Sequence, residues 1–169
     1  MADTIYKELR KKLDLTREEV CDEASKRNQV LTYERLERIE NGKFNIHPEE
    51  VILLSEIYKE PSLCNHYCSK MCEIGQKYVP EIKSKDLSQI ILEMLASLNS
   101  VNKKRDRLIE ITYDGEISND QIEDFIRIQQ ELEKISITVE ALQLWSEQMV
   151  ANGTIDKKAY EESKRRLNK

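Results

Sequence analysis

Leu87, Ile91, Met94, Leu98, Val101, Arg105, Leu108 and Thr112 follow one another at alternating spacings of four and three. This is the coiled-coil period, and it predicts one helix over residues 84–112 with Ser84 as its cap. Phe125, Ile128, Leu132, Ile135, Val139, Leu142, Ser146 and Met149 repeat the pattern, with Trp145 beside them. They predict a second helix over 119–151, ended by Asn152-Gly153. At about 1.5 Å per residue, each would exceed ~40 Å. Between them "YDGEISND" offers a stop at Gly115 and a cap at Ser118 or Asn119, so the two should fold back as an antiparallel hairpin. Four Gly and three Pro in 169 residues leave little to interrupt helices. The expected fold class is all-α.

Two helices cannot cover such wide stripes on both sides, since Ile90, Leu92 and Leu95 extend the apolar surface beyond the seam. A second copy of the hairpin would complete a four-helix bundle, which predicts a homodimer through residues 84–151. The alternative is that the hairpin packs on the N-terminal part of its own chain. "GTIDKKAYEESKRRL" adds a short C-terminal helix.

The first 75 residues read differently, as five short helices. Ile5, Leu9 and Leu13 lie on one face with Tyr6 beside them. Thr16 and Glu19 form a capping box before a stripe of Val20, Cys21 and Ala24. Thr32 caps the third helix, Leu36 and Ile39 face inward, and Asn41-Gly42 stops it. Pro48 opens the fourth, whose core residues are Val51, Leu54, Ile57 and Tyr58, and Pro61 ends it. "SLCNHYCSKMC" then reads as a fifth helix ending before Gly75. The chain thus divides into a head over 1–75, a linker over 76–83 and a helical hairpin with its terminal helix over 84–169.

Arg10, "LTREEVC" and "LERIENGK" carry a resemblance to the Cro/C1-type (XRE) helix-turn-helix family over residues 5–60. The resemblance implies a third helix, residues 32–41, that lies in the major groove of double-stranded DNA, with the second crossing the backbone. It implies a structural pair of Arg10 with Glu40, a phosphate contact from Arg17, and DNA contacts from Thr32, Tyr33, Arg35, Arg38 and Lys43. The turn "SKRNQVL" is longer than the family's usual pattern. Gly153, Ile155, Tyr160, Lys164 and Leu167 also resemble a short C-terminal (SHOCT-like) helical motif.

Charge works against a purely electrostatic DNA coat. The net charge is −5 for the whole chain, and Glu34 and Glu37 face outward beside the expected DNA contacts. Two further functions therefore stand beside a dimeric, DNA-binding transcriptional regulator. One is a protein-contact module on the same folds. The other is a thiol- or metal-responsive regulator built on "CNHYCSKMC". Along one continuous helix Cys64 and Cys72 would stand ~12 Å apart. Cys64, Cys68 and Cys72 could then share a zinc ion or iron–sulfur cluster only if that helix breaks. Packing and redox sensing are the other readings of these thiols.

No catalytic motif is present, and no enzyme is expected. His66 stands two residues from Cys64 and from Cys68, on another helical face, so no Cys–His nucleophile forms. An EF-hand reading of "DGEIS" places Gln121 where a carboxylate must stand and fails. No apolar run spans a membrane, the N-terminus is no signal peptide, and a cytoplasmic protein with reduced thiols is expected.

Overall fold

The computed structural model describes residues 4–43, 45–113 and 117–167. Among these residues the chain forms ten α-helices and no strand. They are α1 (Ile5–Lys12), α2 (Arg17–Lys26), α3 (Tyr33–Glu40), α4 (Pro48–Ile57) and α5 (Ser62–Lys70), then α6 (Glu73–Tyr78), α7 (Leu87–Lys103), α8 (Arg105–Thr112), α9 (Ile122–Ala151) and α10 (Lys157–Leu167). Contacts divide the chain into two compact units. One is the chain up to Glu81 together with the stretch from Glu147 on, and the other is Ile82–Ser146. The last turn of α9 and all of α10 therefore belong with the N-terminal helices, not with the second domain expected over 84–169.

In the first unit, local sequence sets the helix ends. The Glu19 N–H donates to Thr16 Oγ1 at 3.2 Å while the Thr16 N–H donates to the Glu19 carboxylate at 2.7 Å, so the capping box forms. Thr32 Oγ1 accepts from the Arg35 N–H at 3.2 Å. At the end of α3, Gly42 turns left-handed at φ 64°. The Lys43 and Gly42 N–H groups then reach the Arg38 and Ile39 carbonyls, closing a Schellman stop. Asp14, Asn28 and Lys59 take the same conformation after α1, α2 and α4.

The core of this unit is built on Val20, Ala24, Leu36, Leu54 and Leu63, none of which reaches solvent. On α1, Tyr6 is the buried residue. Ile5 and Leu9 pack at its edge, and Leu13 is exposed because the helix has ended before it. Cys21 is half-buried against the same core.

The fifth helix is shorter than expected. It stops at Lys70, and Cys72 caps a separate α6 by accepting the Gly75 N–H on its sulfur at 3.4 Å. The bend presses α6 onto α5: a Cβ on Gly75 would lie 2.0 Å from the Cys68 carbonyl oxygen. Residues 76–78, assigned to a linker from the sequence, are helical. The non-helical stretch beyond is pinned by Asn65, which donates to the Pro80 carbonyl at 3.0 Å.

In the second unit the helix expected over 84–112 starts and breaks differently. Asp86, not Ser84, is the cap, accepting the Gln89 N–H at 2.9 Å. Lys104 leaves helical geometry (φ −101°, ψ 3°) and separates α7 from α8. Gly115 and the Thr112 side chain lie outside the described residues.

The buried line is also turned by one position. Ile90, Ser97 and Ile111 are buried on α7–α8, seven apart or twice seven, while Leu87, Ile91 and Leu98 of the expected seam are exposed. On α9, Ile128, Thr138 and Ala141 are buried and Leu132 and Val139 exposed. Three of these buried positions, Ser97, Thr138 and Ala141, carry short side chains. Ile90 clusters with Ala141, Ile137 and Trp145, while Arg107 meets Asp124 at 2.7 Å. Contacts thus progress in opposite directions along α7–α8 and α9.

Candidate nucleic-acid interface

The site begins with Glu40, the last residue of α3 and fully buried. Its carboxylate accepts from Arg10 Nε and Nη2, the latter at 2.9 Å, and from Arg17 Nε at 2.9 Å. Burial alone would raise the titration of this carboxyl. The two guanidinium groups outweigh it and hold the carboxyl below the usual range. Arg10 also donates to the Leu15 carbonyl at 2.8 Å, and Thr4 Oγ1 donates to the Glu40 carbonyl at 3.0 Å. Glu40 therefore joins α1, α2 and α3 at one point.

The expected pair of Arg10 and Glu40 is thus a trio. Arg17, expected to touch a phosphate, lies over the Tyr33 ring at 5.3 Å and donates to the Tyr33 hydroxyl at 3.1 Å. Its other partner is Glu37, at 3.2 Å. Arg35 is likewise engaged. It forks onto Glu50 of α4 at 2.6 and 2.7 Å and donates to the Asn45 carbonyl at 3.0 Å. Thr32 serves as the helix cap.

On the outer surface of α3 stand Tyr33, Glu34, Glu37 and Arg38, with Lys43 exposed just beyond its end. Of the residues expected to meet DNA, Tyr33, Arg38 and Lys43 present themselves outward, while Arg17 and Arg35 are built into the fold. Glu50 is the partner that sequence reasoning missed. Its place as third residue after His47, whose N–H it accepts at 2.8 Å, marks a helix start. Nothing in the chain order links it to Arg35, fifteen residues earlier.

Cys64, Cys68 and Cys72 lie on α5 and at the start of α6, outside α1–α3. Cys64 packs at the core with its sulfur 3.6 Å from Ser55 Oγ. Burial pushes the Cys68 thiol up, and its neighbours Cys72 and Cys64 add to the shift. The break at Met71–Cys72 supplies the condition for three thiols to converge. Among the described residues, however, no group of three or more His, Cys, Asp or Glu side chains is placed to hold a metal ion. No described helix is long and apolar enough to cross a membrane.

No family model, no curated protein and no solved structure matches this chain.

Proposed function

We propose that this chain is a sequence-specific regulator that binds double-stranded DNA as a pair, with α3 entering the major groove. The first unit then contains a helix-turn-helix head, and Ile82–Ser146 is a hairpin that supplies the pairing contact, within residues 84–151. The observation that carries this reading is the clamp on Glu40. It fixes α3 to both preceding helices while Tyr33, Arg38 and Lys43 face outward from and just beyond α3, a placement suited to base edges and phosphates. Titration of full-length protein onto duplex DNA from about 50 to about 200 mM salt tests it. If phosphates are contacted, affinity should fall by at least ~tenfold across that range. Weak affinity independent of salt would remove the reading.

A second reading, a protein-contact module, is favoured by a specific observation. Arg17 and Arg35 are already held by Glu40 and Glu50, and Glu34 and Glu37 remain on the outer surface. Such a surface would be indifferent to DNA and would select a basic partner. The same titration separates the two. A thiol- or metal-responsive regulator is a third, tested by the zinc and iron content of purified protein and by DNA affinity before and after oxidation.

A further inference from the structure

Charged residues make up 35% of the protein, yet Leu87–Asn102 contains a single one, Glu93. That carboxylate is occupied by Lys85. A helix with so little charge has apolar residues on more than one side. One side of α7 is accounted for, because Ile90 and Ser97 are buried within their own unit. A second is not. Leu87, Ile91, Leu95 and Leu98 recur at spacings of four, four and three, so they form one row about 100° round the helix from Ile90. They are 37–53% exposed, and Leu92 beside them is 68% exposed.

We propose that this row is the contact through which two copies of the chain pair, α7 against α7. The inference rests on the pairing named in the reading above and narrows it from residues 84–151 to one face of one helix. Charge and area identify the occupant. The residues flanking the row, Ser88, Met94, Asn99 and Asn102, are uncharged. Nothing there repels an identical copy across a two-fold axis, whereas selection of a different partner uses charge to exclude the chain itself. The five apolar residues leave on the order of 450 Å² uncovered, within the ~300–600 Å² of the largest apolar patch on a typical monomer, which is often a functional one. A pair would bury at most about 900 Å² from these alone, so its polar rim must supply the rest of the ~1,000 Å² that a specific interface clears.

Sedimentation equilibrium of the full chain under reducing conditions, from about 1 to about 100 μM, tests this. The expected result is a dimer whose dissociation constant rises at least ~tenfold in Ile91→Glu with Leu95→Glu. Leu132→Glu with Val139→Glu, on α9, should leave it within about threefold. If circular dichroism shows that the glutamate variants lose helix, Ile91→Ala with Leu95→Ala carries the same expectation. Unchanged pairing in the α7 variants, with loss in the α9 variants, would overturn the assignment to α7 and leave the paired reading standing. A wild-type monomer throughout the range, the row being covered by another part of the chain or by another protein, would overturn both.

Discussion

Glu40 shows how one residue can hold three helices. Its carboxylate has no solvent and two guanidinium groups, Arg10 and Arg17. Replacing it by Gln takes the Glu40 counter-charge from the largely covered Arg10 and leaves Arg17 with Glu37 alone, and should cost about 3 kcal/mol in chemical denaturation. The pH dependence has a definite sign. The folded-state titration of Glu40 lies below its unfolded value, so its contribution is complete above about pH 4.3 and disappears as pH falls through the folded value. Stability should therefore be flat from about pH 7 to about pH 5 and fall below that, and less steeply in Glu40→Gln. Gly75 is the second sensitive residue. A methyl group there meets the Cys68 carbonyl oxygen at 2.0 Å, backbone that cannot rotate away. Gly75→Ala should lower stability by roughly 1–3 kcal/mol, and an unchanged unfolding midpoint would show that α5 and α6 do not pack this closely. The Arg10–Glu40 pair was legible through a family resemblance. The addition of Arg17 was not, because only the crossing of α2 and α3 brings residues 23 apart into one network.

At the scale of elements, helix ends were the most legible features. Thr16 with Glu19, Thr32, Pro48 and Gly42 each act within a few residues of where they stand, so chain order suffices to read them. Lys59 is the exception that invites a test. It takes a left-handed φ of 53° after α4 without being glycine, while its carbonyl accepts from Gln148 at 3.0 Å. Lys59→Gly relieves the side chain's strain and should raise stability by about 1 kcal/mol. A lower thermal midpoint would contradict this. The breaks at Met71–Cys72 and Lys104 were not legible, since neither is marked by Gly or Pro. The rotation of α7 was hidden for a related reason. Apolar residues occupy two of its faces, and periodicity cannot say which face meets α9. On α3, outward Arg38 and inward Arg35 differ in kind. Arg38→Ala should weaken DNA affinity by ~1–3 kcal/mol if it reaches a base. Unchanged affinity would mean that α3 does not read DNA through it.

At the scale of the molecule, two units share the work. The first holds the clamped α3 and a set of outward residues. The second carries a helix with a single charge over Leu87–Asn102, whose exposed row suits a second copy. All-helical architecture followed from scarce breakers and two seams, and the described residues bear it out. The division at Glu81 and Glu147 did not follow, because it depends on where the end of α9 finds contacts. A pair of heads predicts a definite form of operator. Two recognition helices related by a two-fold axis read inverted repeats whose centres lie one helical turn, ~34–36 Å, or a multiple apart. Selection of bound duplexes from a random pool by the full-length protein at low salt measures this directly. The account predicts enrichment of a short motif in inverted repeat at that spacing. A bound pool with the composition of the input would contradict it.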